Sequence, residues 1–77
     1  MDFDANLFAS RLRGKRGEAD KSQAQLADEI GVNRATINAY ESGSMIPGVD
    51  KVCLMAQCLH CTPNDLTGWH KRRLLSE

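Results

Sequence analysis

Apolar residues in this chain recur three or four positions apart within short segments, and residues typical of helix ends separate these segments. This spacing places side chains on one face of an α-helix, whereas a half-buried strand requires strict alternation, and the chain has no such stretch. With 77 residues, the chain has room for one core only. We therefore predict a single all-α domain over residues 1–77.

Helix-capping residues divide the chain into five predicted helices. Ser22 and Gln25 match a capping box, Gly31 suits a left-handed helix exit, and Asn33 is a good N-cap. Asp4 is expected to lie in an acidic first turn, and Pro63 follows a threonine N-cap. The predicted helices cover residues 3–16, 22–31, 34–41, 49–59 and 63–75.

The core is predicted to be mainly aliphatic, because aromatic residues make up only 5% of the chain. Helical spacing in the fourth segment favours burial of one face there. The residues predicted to be buried are Leu26, Ile30, Ile37, Val49, Val52, Leu54, Met55, Ala56 and Leu59.

The third predicted helix has an apolar inner side and a small, polar outer side. Ile37 and Tyr40 point inward. The outer side holds Arg34, Ala35, Asn38, Ala39 and Ser42. Taken alone, such a face is typical of a solvated helix surface.

A long ordered pattern resembles the lambda repressor-like Cro/cI (XRE) family. It comprises Ser22-Gln23-Ala24-Gln25-Leu26-Ala27, Ile30-Gly31-Val32, the run from Thr36 to Gly43, and then Pro47, Val52, Met55-Ala56, Leu59 and Leu66. The resemblance implies a compact five-helix domain whose second and third helices form a helix-turn-helix over about 22–42. It also implies an ion pair between Arg16 and Glu41.

The resemblance further implies contacts with the major groove of double-stranded DNA. Arg34 suits guanine and Asn38 suits adenine, while the methyl groups of Ala35 and Ala39 can touch thymine. The residues expected to meet the DNA backbone are Arg16, Ser22, Gln23, Asn33, Thr36, Ser42 and Ser44. For Arg16, a structural role and a phosphate contact remain equally open.

We predict a sequence-specific transcriptional regulator, most simply a repressor that binds a palindromic operator as a homodimer. The formal net charge is zero, so charge alone does not indicate DNA binding. A C-terminal helix bearing Leu66, Trp69, Leu74 and Leu75 is a candidate dimer interface. The same segment supports an alternative, an antitoxin or anti-repressor that acts mainly on a protein partner. A third interpretation of the segment is a lid that covers a thin core.

Other classes find little support in the sequence. Cys58 and Cys61 resemble half of a zinc site, but no second cysteine pair exists, so buried free thiols are the favoured interpretation. With Cys53 they also admit a redox sensor as a weaker alternative. No phosphate-binding loop or catalytic constellation is present, so neither enzyme activity nor a cofactor is predicted. A soluble cytoplasmic protein is expected, because no apolar stretch approaches a membrane span.

Overall fold

The computed structural model describes residues 4–68 and contains five α-helices and no strand within that range. Their bounds are α1 Ala5–Glu18, α2 Gln23–Ile30, α3 Arg34–Ser42, α4 Val49–Cys58 and α5 Pro63–Thr67. The prediction of an all-α fold is confirmed.

The predicted caps fix the helix-turn-helix. The amide of Gln25 donates to Ser22 Oγ at 3.0 Å, and the amide of Ser22 donates to Gln25 Oε1 at 2.8 Å, which completes the capping box. Gly31 ends α2 in the left-handed region with φ 80°. Three residues later α3 begins, and such a short turn containing glycine is typical of helix-turn-helix units.

The first helix begins later and ends later than predicted. Asp4 is its N-cap, because the carboxylate accepts hydrogen bonds from the amides of Asn6 and Leu7. Phe3, the predicted first residue, lies outside the described residues. The helix continues past Arg16 to Glu18, since Gly17 tolerates helical backbone even though it lowers helix propensity.

The fifth helix ends at Thr67, before the predicted end at 75. Gly68 follows with φ 75°, and its amide donates to the carbonyl of Asn64. A left-handed glycine at this point stops the helix. Trp69, Leu74 and Leu75 lie outside the described residues.

The core lies where all five helices meet. Its buried members are Phe8, Leu12, Leu26, Ala27, Ile30, Ile37, Tyr40, Val52, Met55, Ala56, Leu59 and Leu66. The prediction was wrong for two residues of α4. Leu54 faces away from the buried stripe and is 38% exposed, while Val49 lies at the very start of α4, beyond the edge of the core, and is 80% exposed.

Leu66 has the buried role that the sequence also predicted for it, and not a role at a dimer interface. It is fully buried beneath α1 and α4, so it stabilises the core and is not available for a dimer interface. The remaining residues proposed for that interface lie beyond Gly68 and outside the described residues.

Candidate nucleic-acid interface

Most of the predicted base-reading residues share the exposed face of α3. Arg34, Ala35 and Asn38 are exposed. Ala39 is half-buried, because the chain after α3 folds back and the amides of Ser44 and Met45 both donate to the Ala39 carbonyl. Residues four apart neighbour each other on a helix, so Arg34 and Asn38 form one polar stripe about 6 Å apart.

The guanidinium of Arg34 is free. It forms no hydrogen bond or ion pair within residues 4–68, and it borders an open hollow between α2 and α3 that Asp28 also lines. Among the cations on α1 and in the turn before α2, Lys15, Arg16 and Lys21 pair with acids, while Arg11 and Arg13 donate to backbone carbonyls. All N–H donors of the Arg34 guanidinium are therefore available to a ligand.

A buried carboxylate lies behind this face. Glu41 is 4% exposed, and its Oε2 is 2.6 Å from Arg16 Nε while its Oε1 is 3.2 Å from Arg16 Nη2. The hydrogen bond from Arg16 to this carboxylate raises the arginine pKa, against a smaller effect of burial. The ion pair that the family resemblance implies is present, and it joins α1 to α3.

Gln23 completes this network in a way that the sequence does not reveal. Its Nε2 donates to Glu41 Oε1 at 3.0 Å, and the side chain is half-buried and points toward Glu41. Arg13 adds a hydrogen bond from Nη1 to the Glu41 carbonyl. The side chain and carbonyl of Glu41 thus link α1, α2 and α3. The only signal of this network in the sequence is that Gln23 and Glu41 are polar residues next to apolar helix faces.

The start of α2 still offers donors to a phosphate. The first amides of any helix lack partners within that helix, and they carry its positive end. Ser22 accepts from the Gln25 amide, so its own hydroxyl hydrogen can point outward. Gln23 is therefore better placed to meet a phosphate through its backbone than through its side chain.

At the start of α3, Asn33 and Thr36 are not equivalent. Asn33 Oδ1 accepts from the Thr36 amide at 2.9 Å and from the Thr36 hydroxyl at 3.0 Å. The Thr36 hydroxyl hydrogen is thus in use, while the Asn33 side-chain NH2 has no partner among the described residues. Phosphate oxygens only accept hydrogen bonds, so this geometry favours Asn33 over Thr36 as a backbone contact.

Ser42 and Ser44 form a small cluster at the end of α3. Their hydroxyls lie 2.9 Å apart, and each is within hydrogen-bond distance of the Ala39 carbonyl, at 3.1 Å and 3.3 Å. Both serines are exposed. A phosphate contact requires at least one of these hydroxyls to rotate away from the carbonyl.

The cysteines lie apart from this face. Cys58 and Cys61 are free and half-buried against the core, less buried than predicted, and burial raises the pKa of both thiols. Cys53 is free and half-buried but does not belong to the core cluster. Within residues 4–68, no three His, Cys, Asp or Glu side chains are grouped so as to hold a metal ion. None of the described helices is long and apolar enough to cross a membrane.

Comparison with known proteins identifies the family. A helix-turn-helix family model matches residues 12–66, which is most of the chain. The chain belongs to the Cro/cI-type (XRE) helix-turn-helix family. It is therefore a DNA-binding domain of the kind found in transcriptional repressors.

Among relatives of this family is the cryptic phage CTXphi transcriptional repressor RstR of Vibrio cholerae El Tor. It is 36% identical to the chain over 58 residues, covering 75% of this chain and 52% of the repressor. A second RstR from Vibrio cholerae is 37% identical over 51 residues. The chain spans about half the length of these relatives.

Solved structures share the fold. The P22 c2 repressor in complex with a synthetic operator has a TM-score of 0.74 and 27% identity, covering 78% of this chain and 91% of the repressor. The restriction-modification controller protein C.AhdI from Aeromonas hydrophila has a TM-score of 0.77 and 28% identity, covering 82% and 96%. HppE bound to its substrate matches only in part, because the likeness covers 37% of that chain.

Proposed function

We propose that the chain is a sequence-specific transcriptional repressor that binds a palindromic operator as a homodimer. The observation that carries this proposal is the free guanidinium of Arg34 on the exposed face of α3, in a family whose members bind DNA. Repressors among the relatives and neighbours support the choice of repression. A single module offers few contacts, so two copies on two half-sites are needed for tight binding.

In this proposal, α3 reads bases in the major groove. Arg34 donates two hydrogen bonds to guanine O6 and N7, and Asn38, one turn further on, pairs with adenine N6 and N7. Ala35 and Ala39 have no polar side chain, so they allow close approach and contact thymine methyl groups. Because Ala39 is half-buried, its contact is the smallest of the four.

In this proposal the DNA backbone is held at the start of α2, at the start of α3 and just after α3. Ser22 and the backbone amide of Gln23 bind one phosphate at the start of α2, and the amide group of Asn33 donates to another. Thr36 plays a lesser part, while Ser42 and Ser44 reach a phosphate after their hydroxyls rotate. Arg16 serves mainly to hold Glu41, and its exposed edge adds charge near the backbone.

We also propose that the chain has no catalytic activity of its own and works in the cytoplasm, where an operator is accessible. The named repressors that match it support the first statement. The partial match to HppE covers a shared domain and not the rest of that protein. No described observation favours the antitoxin or anti-repressor alternative, since Leu66 is buried.

Selection of bound sequences from a random DNA pool tests the proposal. We expect the wild type to select a palindrome, and Arg34→Ala to lose selectivity at one guanine by about 5- to 150-fold, the equivalent of 1 to 3 kcal/mol. Asn38→Ala should relax a different position. Lys51→Ala, which removes a cation from α4, is the matched control and should leave the selected sequence unchanged. Uniform weak binding that neither α3 substitution alters would contradict the proposal.

A further inference from the structure

An acidic side chain borders the same hollow as the arginine proposed to read bases. Asp28 of α2 and Arg34, the first residue of α3, both line the open hollow between these helices, which has a volume of about 470 Å³. The other residues that line it carry no charge, and they are Ala24, Gln25, Ala27 and Val32. Among the described residues, Asp28 is therefore the only acid that lines the hollow with Arg34.

The carboxylate of Asp28 has no other partner in the described part of the chain. It is exposed and forms no hydrogen bond or ion pair within residues 4–68. The next residue, Glu29, differs, because its carboxylate lies 2.6 Å from Lys21 Nζ. Asp28 and Arg34 do not come within ion-pair distance of each other in this structure. Each charge is thus available to the other once the arginine side chain turns toward the acid.

The backbone holds Asp28 and Arg34 in a fixed relation. Ala27 and Ile30, which flank the acid on α2, are buried in the core, so α2 cannot turn to carry the acid away. Asn33 caps the start of α3 through its side chain, which fixes the position of the next residue. The movable part is the long Arg34 side chain, which has many rotamers.

The guanidinium can meet a base and an acid at the same time. It has five N–H donors, and a guanine takes two of them at O6 and N7. The remaining donors lie on the other edges of the planar group, where a carboxylate can accept one. We infer that Asp28 is a positioning residue for Arg34: its carboxylate accepts a hydrogen bond from the guanidinium and so directs the fork to the edge of guanine. This inference rests on the proposed function, in which Arg34 reads that base.

The charge of Asp28 also affects what Arg34 does not bind. A phosphate brought to this guanidinium would come close to the carboxylate, and two like charges repel each other. The edge of guanine carries no net charge, so this repulsion affects it much less. Asp28 therefore weakens contact with the DNA backbone more than contact with guanine, and it raises specificity while lowering overall affinity.

Asp28→Asn tests the inference, because it removes the charge and keeps the size of the side chain. Asp28 is exposed and has no partner among residues 4–68, so the substitution should leave the fold intact. Asp20→Asn is the matched control. It removes the same charge from the turn before α2, outside the hollow, at a left-handed position (φ 58°) that asparagine tolerates. Affinity is measured at one salt concentration for the selected site, for the same site with the Arg34 guanine replaced, and for a random duplex.

We expect the wild type and Asp20→Asn to prefer guanine over its replacement by the same factor. Asp28→Asn should lower this preference by about 2- to 5-fold in each half-site, the range of an exposed ion pair, and should bind the random duplex more tightly. An unchanged preference in Asp28→Asn, with guanine still selected by the wild type, would overturn the inference and leave the proposed function standing. A wild type that selects no DNA sequence would overturn both.

A double substitution separates positioning of Arg34 from a general change of the domain. In an Arg34→Ala background there is no guanidinium to direct, so Asp28→Asn should leave the preference at this base unchanged. The preference at the base read by Asn38 should also be the same with and without Asp28. A loss of preference that persists without Arg34, or that extends to the Asn38 base, would show that Asp28 acts on the fold and would overturn the inference.

Discussion

Gly43 occupies a position that favours glycine, at the point where α3 ends. It ends α3 with φ 81°, and a Cβ built there would lie 2.8 Å from Asn6 Oδ1. A residue without a side chain adopts left-handed backbone with the least strain. The glycine therefore lets the end of α3 approach the start of α1.

Gly43→Ala should lower the free energy of unfolding by more than about 1 kcal/mol, because the left-handed backbone is strained by a side chain. Gly14→Ala is the matched control. Gly14 lies inside α1 with nothing within 4 Å of a built Cβ, so alanine there should stabilise the protein by about 0.5 to 1 kcal/mol. Urea unfolding of both variants checks the prediction, and a loss of stability in both would contradict it.

Contacts between residues close in sequence could be predicted, whereas contacts between distant residues could not. Capping residues such as Ser22 and Asn33 act over three positions, so their hydrogen bonds were predictable from spacing alone. The exposure of Arg34 and Asn38 followed from helical period. The bond from Gln23 to Glu41 joins residues 18 positions apart, and no local rule predicts which polar side chains meet across a packed interface.

Among the elements, α1, α2 and α3 are tied by the single carboxylate of Glu41. Removing it leaves Nε and Nη2 of Arg16 and the side-chain amide of Gln23 without their acceptor, while Nη1 of Arg16 still donates to the Lys21 carbonyl. Breaking a buried pair costs several kcal/mol, and the partial exposure of Arg16 reduces that cost because water can reach it.

Glu41→Ala should therefore lower the free energy of unfolding by about 2 kcal/mol. Glu29→Ala is the matched control, because Glu29 pairs with Lys21 on the surface and water replaces that partner. Urea unfolding at neutral pH measures both. The prediction fails if the two substitutions have equal effects.

Two cysteines between α4 and α5 make the stability of the fold depend on pH. Burial raises the pKa of the Cys58 and Cys61 thiols above the ordinary 9.0, so the folded protein holds these protons more tightly than the unfolded chain. Stability from this source is complete below pH 9 and is lost as pH rises through the folded pKa. Tyr40 has the same effect on stability, since burial also raises the pKa of its hydroxyl, but from an ordinary value of 10.0.

We expect the unfolding free energy to fall as the pH rises above about 9 in reducing buffer, and to fall less in a Cys58→Ala, Cys61→Ala variant. The quantity to compare is the slope of the unfolding free energy against pH, because the alanines also change packing and so shift the free energy at every pH. Urea unfolding across this range measures the slopes. Parallel curves for the two proteins would show that the thiols do not contribute.

Element bounds were predictable where a cap ends the helix and less so where tertiary packing decides. The end of α2 at Gly31 followed from the sequence, and the end of α5 was missed because Gly68 lies inside an apolar pattern that continues to Leu75. The exposure of Leu54 was missed because several apolar spacings fit α4. Only the contacts of α4 with α2 and α5 select the buried one.

For the whole molecule, the balance of charge is unusual for a DNA-binding domain. Residues 4–68 hold seven Lys and Arg against eight Asp and Glu, and three of these cations pair with acids. The cations of residues 4–68 that have no acid partner there, and so can displace the counterions of DNA, are Arg11, Arg13, Arg34 and Lys51. From residues 4–68 we therefore expect a modest contribution of phosphate contacts to the salt dependence, so that sequence reading carries much of the affinity.

The salt dependence of operator binding measures this balance. Each cation that neutralises a phosphate adds about 0.9 to the slope of log affinity against log salt concentration. Two copies on the palindrome should give twice the slope of one copy on a single half-site. If Arg34 reads guanine without touching phosphate, Arg34→Ala lowers affinity while the slope changes by less than about 0.9 per copy. Asn38→Ala, which removes no charge, is the control and should leave the slope unchanged, whereas a drop of about 1.8 for Arg34→Ala on the palindrome would reassign Arg34 to the backbone.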